Sequence, residues 1–313
     1  MIGQVPRLRP GGVLRLMRCE IQNFRFLVCT TVLTLMVVCL PPHVSAQLHA
    51  STSTPNIQDP NALVREVIRN EMQAQLSDQS LWCYREQRQE ESKPAKTLQV
   101  CQTKDGELER LVALDGRELT SLQAQAEDER IQKIVSNPEQ FRAKQKKERE
   151  DGEQARKLLA TLPDAFLFQC DHQSGNLVTL CFRPNPAFRP STRSAQVFHH
   201  MEGTLVVDAE QKRLVEINGR LTSEVKFLGG LLGHLDKEGT FCVKQQNVGE
   251  GHWDLRFMSV RMSGKALFFK TITVLETKSL LDYKPLPRGA TLQQAADFLI
   301  RDFDVRAASS SGK

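Results

Sequence analysis

The chain carries few of the short motifs that usually mark catalytic or metal sites. It has no CxxC, HxH or HExxH, so no ligand spacing suited to zinc is present. GxSxG and GxxxxGK[ST] are also missing, which removes the nucleophile elbow and the phosphate-binding loop. No period of 20–50 residues repeats in register, which argues against a solenoid or a propeller. The apolar run Phe26–Leu40 holds fifteen uncharged residues, short of the ~20 that span a bilayer comfortably.

That run has a different meaning. Arginines precede it at 7, 9, 15, 18 and 25, Pro41-Pro42 ends any helix, and Val44-Ser45-Ala46 offers small residues for cleavage. This is the pattern of a signal peptide. Residues 1–46 are therefore expected to be removed after Ala46, leaving a periplasmic or secreted protein with no transmembrane segment. Cleavage takes away five arginines and one glutamate, so 42 basic and 37 acidic residues become 37 and 36. With a net charge so near zero, nucleic acid is not an expected partner. The run AKQKKEREDGEQARK has the same explanation: its acids and bases are interspersed, as on a solvated helix face.

Gln47–Gln58 is polar and reads as a flexible lead. One domain is expected over 59–304, with a disordered tail over 305–313. Asp59-Pro60 looks like an N-cap followed by proline at the first helical position. Leu63, Val64, Val67, Ile68, Met72 and Leu76 then form one apolar stripe at helical spacing. Leu81–Gln89 and Thr97–Thr103 read as a hairpin, and Glu107–Leu114 as a third strand. Residues 118–162 are dense in Glu, Gln, Lys and Arg and read as an inserted pair of charged helices, broken near Asn137-Pro138. Ala165–Phe182 reads as a second hairpin around Ser174-Gly175-Asn176, and Ser194–Met201 as a short helix. The capping box Thr291–Gln294 opens a last helix.

Five cysteines lie beyond the leader, at 83, 101, 170, 181 and 242. Cys83 and Cys101 flank one hairpin turn, and Cys170 and Cys181 the other. Directly opposed residues of an antiparallel pair come close enough to bridge, and an exported chain can keep the bond. Two disulfides are therefore expected, Cys83–Cys101 and Cys170–Cys181, with Cys242 left over. The alternative is that all five are thiols behaving as small hydrophobes.

Gly203–Pro285 is a run of short strands separated by turn-formers, the signature of an antiparallel sheet. Lys265–Thr277 is apolar on both faces: Ala266, Phe268, Ile272 and Val274 point one way, Leu267, Phe269 and Leu275 the other. A sheet facing water would alternate cleanly, so both faces need cover. Phe227–Leu235, broken by three glycines, could be a bulge or corner that curls the sheet, or a mobile flap.

Side chains with possible chemistry are few. Cys170, His172, Cys181, His199 and His200 lack metal-ligand spacing, and an adjacent histidine pair can seldom turn both rings to one ion. Cys242 with His234 or His252 has no hydrolase signature around it. No catalytic residue, metal or cofactor is expected. Trp82 and Trp253 read as core or rim anchors.

The segment GTLVVDAEQKRLVEINGRL, the apolar strands after it, the N-terminal helix and the helices inserted partway resemble the bacterial lipoprotein-carrier (Lol-type) superfamily, which includes periplasmic regulators that sense mislocalised lipoproteins. The nearest resemblance is to a group of exported bacterial proteins, over roughly Asp59–Pro285. It implies an α+β fold, with a curved antiparallel sheet forming an unclosed β-barrel around a hydrophobic cavity and helices as a lid. The 118–162 insert is longer and more charged than such a lid. The expected function is a non-enzymatic carrier or sensor of an acyl chain or lipoprotein, with Val206, Ile217, Phe227, Phe257, Phe268 and Ile272 lining the cavity. The alternative is an envelope interaction or assembly module with a packed core and a protein partner.

Overall fold

A computed structural model describes residues 59–310 except 228, 230–232, 250 and 267–269, with backbone alone at 266, 270, 272 and 302–310. The expected leader, the lead and Phe268 lie outside the described residues. The elements run α1 (Pro60–Ser77), β1 (Leu81–Glu90), β2 (Lys96–Thr103), β3 (Gly106–Leu114), β4 (Arg117–Glu118), α2 (Ser121–Ser136), α3 (Glu139–Ala160), α4 (Leu162–Ala165), β5 (Phe166–Ser174) and β6 (Leu177–Pro184). A 3-10 turn (Ser194–His200) follows, then β7 (Met201–Asp208), β8 (Arg213–Leu221), β9 (Val225–Phe227), β10 (Gly233–Leu235), β11 (Thr240–Gly249), β12 (His252–Ala266), β13 (Lys270–Leu286) and α5 (Leu292–Ser310).

All the strands join one antiparallel sheet in the order β4-β3-β2-β1-β13-β12-β11-β8-β7-β6-β5, with β9 and β10 attached to the end of β12. The two outermost strands, β4 and β5, do not meet, so the sheet curves without closing into a barrel. The fold is α+β with an unclosed antiparallel sheet; the antiparallel pairing follows from the strand pattern, and the open barrel is what the resemblance implies.

Local chemistry explains most element ends. The Asp59 side chain accepts from the amides of Asn61 and Ala62, capping α1. Thr120 and Gln123 form a reciprocal capping box at the start of α2, and Thr291 and Gln294 another before α5. The charged insert divides at Asn137-Pro138, as expected. α5 continues through Ser310, over residues expected as tail; no glycine or proline stops it before Gly312, and alanine and arginine favour helix.

α1 lies on the inner face of the sheet. Leu63, Val64, Val67 and Ile68 join Leu180, Leu205, Leu214, Ile217 and Phe227 in the main core. Leu76 ends the expected stripe outside that core, 68% exposed in the last turn. A buried ion pair fixes the helix: Arg213 donates Nε and an NH2 group to the Glu71 carboxylate at 2.8 and 3.1 Å, and the Leu214 amide donates to it at 2.8 Å. α2 and α5 instead cover the opposite face of β1–β3, where Ile131, Leu292, Ala295, Ala296 and Leu299 pack on Leu108 and the Cys83–Cys101 disulfide. Only one charged helix, α3, approaches α1; the pair does not form a single lid.

Three expectations about the strands need revision. Cys170 and Cys181 are free, exposed thiols. The turn register, with Ser174 opposite Leu177, would set them face to face, but a bulge at Asp171 slips the pairing by one, so Cys170 faces Leu180 and Gln169 faces Cys181. The core imposes the slip, because Phe166 and Phe168 on β5 stack with Phe182 on β6 and an unbulged strand would turn them outward. The glycine-broken run Phe227–Leu235 is not a bulge over its described ends: β9 and β10 pair with each other, Gly233 opposite Phe227, and β10 pairs with β12, while 228 and 230–232 lie outside the described residues. The six proposed cavity residues do not share a face, as the site geometry shows.

Candidate functional site

Among the described residues, no helix covers the face of the sheet away from α1 over β5–β8 and β11. There the backbone curvature leaves an open groove of about 900 Å³, the size of many ligand sites. Its floor is a row of side chains, one from each successive strand. Cys181 on β6 faces Thr204 on β7, Thr204 faces Asn218 on β8, Asn218 faces Cys242 on β11, and Cys242 faces Ser259 on β12. Each is a small or hydrogen-bonding residue, and none is a bulky apolar one. Gln169, Arg183, Glu202, Arg220 and Thr240 stand around this row.

Two glycines sit in the groove wall, Gly203 directly opposite Gly219. A Cβ on Gly203 would fall 1.9 Å from the carbonyl oxygen of Asn218, and one on Gly219 would fall 2.2 Å from the Phe241 ring. Only glycine lets β7 and β8 approach this closely and lets Phe241 lie across the gap.

The electrostatics are those of a polar surface. Arg220 donates to Glu202 at 2.6 and 3.1 Å, and Lys244 pairs with Glu216 at 2.9 Å. Burial and then the Glu216 charge push the Cys242 thiol up, which keeps it protonated and a weak nucleophile. Neither histidine once considered for it is placed to help. His234 lies between Glu224 and Asp236 at 3.4 and 3.3 Å, and His252 between two aspartates. Among the described residues, no three His, Cys, Asp or Glu side chains gather where they could hold a metal ion.

Against this geometry the six residues expected to line a cavity separate. Ile217 and Phe227 point inward and are buried in the main core. Val206 and Phe257 are on the opposite face, in a row with the Glu216–Lys244 pair: Val206 faces Glu216, Glu216 faces Lys244, and Lys244 faces Phe257. Ile272 is paired with Gly264 on β12, and its side chain lies outside the described residues, as does all of Phe268. The error was one of parity. Leu205-Val206-Val207 is apolar at three consecutive positions, so the sequence does not say which of them faces inward.

A second site went unnoticed in the sequence. On the inner face of β1–β3 and β13 the core turns polar. Arg88 bonds Glu86, and donates to Glu109 at 2.9 Å; Lys278 pairs with Glu276 at 3.2 Å. The Tyr84 hydroxyl donates to Glu107 at 3.1 Å, and an amide hydrogen of Gln102 reaches the same oxygen at 3.5 Å. Glu107 keeps contact with water, yet protein crowds its carboxyl. That crowding, then the charges of Glu109 and Glu86, push it up to about 7. The sequence signal was the alternation of Glu86 with Arg88 on β1 and of Glu107 with Glu109 on β3.

No family model, no curated protein and no solved structure matches this chain.

Proposed function

We propose that the chain is a non-enzymatic, exported binding module that holds an extended segment of an envelope protein in the groove behind β5–β8 and β11. One observation carries this reading. The apolar inner face that would have held an acyl chain is packed, with Ile217 and Phe227 buried in the same core as the α1 stripe, whereas the groove on the other face is open. Its lining mixes apolar surface from Leu167 and Phe241 with hydrogen-bonding groups, a combination that suits a polypeptide with its side chains better than a plain lipid tail. Asn218, Thr204, Thr240, Ser259 and Gln169 offer hydrogen bonds, with the Arg220–Glu202 pair and Arg183 at the margins. Such groups match the regularly spaced amides and carbonyls of an extended chain.

The test sets the groove against the acyl cavity. A photoreactive amino acid at Thr204 should give a discrete adduct with an envelope protein in the native cell, and one at the exposed turn residue Glu238 should give none. Delipidated protein should not bind an apolar fluorescent probe saturably. Saturable probe binding, with no adduct from Thr204, would replace this reading with the acyl-chain or lipoprotein carrier.

A further inference from the structure

His252 opens β12 and is 1% exposed. Its Nδ1 lies 3.0 Å from Oδ2 of Asp78, and its Nε2 lies 3.3 Å from Oδ2 of Asp254. A neutral imidazole has one N–H, so it can donate to only one carboxylate and would turn a lone pair on the other. An imidazolium donates from both nitrogens and satisfies both contacts. Trp82 stacks on the ring at 4.9 Å between centroids and 13° between planes, an arrangement that suits a cationic ring. The three side chains therefore share one proton more than a neutral ring and two carboxylates would hold.

The other groups around the ring are named from every strand nearby. Ser80 and Trp82 come from the start of β1, the Ser80 hydroxyl lying 3.3 Å from Asp78 and receiving the Trp82 indole N–H at 2.7 Å. Tyr283 on β13 donates to the Leu255 carbonyl at 2.7 Å, next in sequence to Asp254. The charge of Asp254 is felt by Tyr84 on β1 and by Glu107 on β3. None of these groups is basic. Burial alone would strip the proton from the ring; the hydrogen bonds and charges of Asp254 and Asp78 outweigh it and hold His252 above the usual histidine range. Burial also raises Asp254, in the same proton-retaining direction.

Asp78 is the residue that closes α1: its amide donates to the Ala74 carbonyl at 3.2 Å. We propose that Asp78, His252 and Asp254 form a proton-held latch that fastens the C-terminal end of α1 to β12, and that loss of the proton frees this end of the helix. The rest of α1 stays in place through the Glu71–Arg213 pair and the apolar stripe. Release is thus local, at Ala74–Ser80, beside the polar interior around Tyr84 and Glu107. The latch is independent of what the groove holds.

The direction in pH follows. A histidine raised in the fold stabilises it fully below its unfolded value near 6.5, and that contribution is lost as pH rises through the folded value. Hydrogen exchange of the 71–82 amides, corrected for base catalysis, should show at least tenfold more opening at pH 9 than at pH 6. The β8 amides 214–220 should change less than twofold. In ¹⁵N spectra of the wild type both ring nitrogens of His252 should be protonated at pH 7. In His252→Gln, which cannot titrate, the pH dependence of 71–82 should vanish; if that variant does not fold, Asp78→Asn should reduce it instead. A neutral ring at pH 7, or equal protection of 71–82 at pH 6 and pH 9 in the wild type, overturns the latch.

Discussion

The two ends of the curved sheet bury their inner faces in opposite ways. Over β5–β8, β11 and β12 the inner face is Leu180, Leu205, Val207, Leu214, Met258 and Val260, and α1 seals it with Val64, Val67 and Ile68. Over β1–β3 and β13 the same face interleaves Leu98 and Val100 with Glu86, Arg88, Glu109 and Lys278. Arg88 and Lys278 stand directly opposite each other, an arrangement that repels unless carboxylates intervene. Glu86, Glu109 and Glu276 intervene. The apolar end draws its stability from area removed from water, at about 25 cal/mol per Å². The charged end gains little from its ion pairs against a hydrophobic substitute, but breaking one pair strands a charge. The difference teaches where adaptation is possible: a close-packed apolar end has no spare room, whereas a hydrated, charged end can exchange protons and partners.

The largest break is expected at the apolar end. Val67 is fully buried on the inner side of α1, so Val67→Asp places a charge with no partner and should leave no cooperative melting transition, by circular dichroism. Next is the buried Glu71–Arg213 pair, which ties α1 to β8. Glu71→Ala abandons the buried Arg213 guanidinium and the Leu214 amide, and should cost about 3–5 kcal/mol in urea denaturation. Replacing both partners with apolar residues should recover much of that loss.

A smaller effect sharpens the charged end. The Glu107 carboxyl rises from 4.5 to about 7 in the fold, so its ionised form is disfavoured there and stability should fall as pH climbs through that window. Glu107→Gln should flatten the stability profile between those values and be at least as stable as wild type at pH 8. Water reaches the side chain, so the difference should stay below about 1 kcal/mol. The smallest expected effect tests register alone. Gln169 faces Cys181 across β5 and β6, so Gln169→Cys should form a disulfide with Cys181 on mild oxidation with little change in melting temperature. Non-reducing peptide mapping reads it, and a link from Cys170 to Cys181 in its place would show that the Asp171 bulge is absent.

Much of this architecture could be read locally. Asp59-Pro60, Thr120–Gln123, Asn137-Pro138 and Thr291–Gln294 start or part helices through side-chain bonds made within a few residues, so the sequence is enough. The Cys83–Cys101 bridge was legible because the β1–β2 register between those positions is regular. The second bridge was not, because its register depends on Phe182 and the core, not on the turn.

The sequence by itself determined the alternation of strand and helix, the antiparallel sheet and the charged insert, since each rests on spacing and composition within a short window. Only the tertiary structure decided which face each strand presents, that α1 fills the inner one, and that Asp78 meets His252 across 174 residues of chain. Parity in a strand apolar on consecutive positions is set by what packs against it, and a contact between distant segments by the path of the whole sheet. Neither is written in any local window.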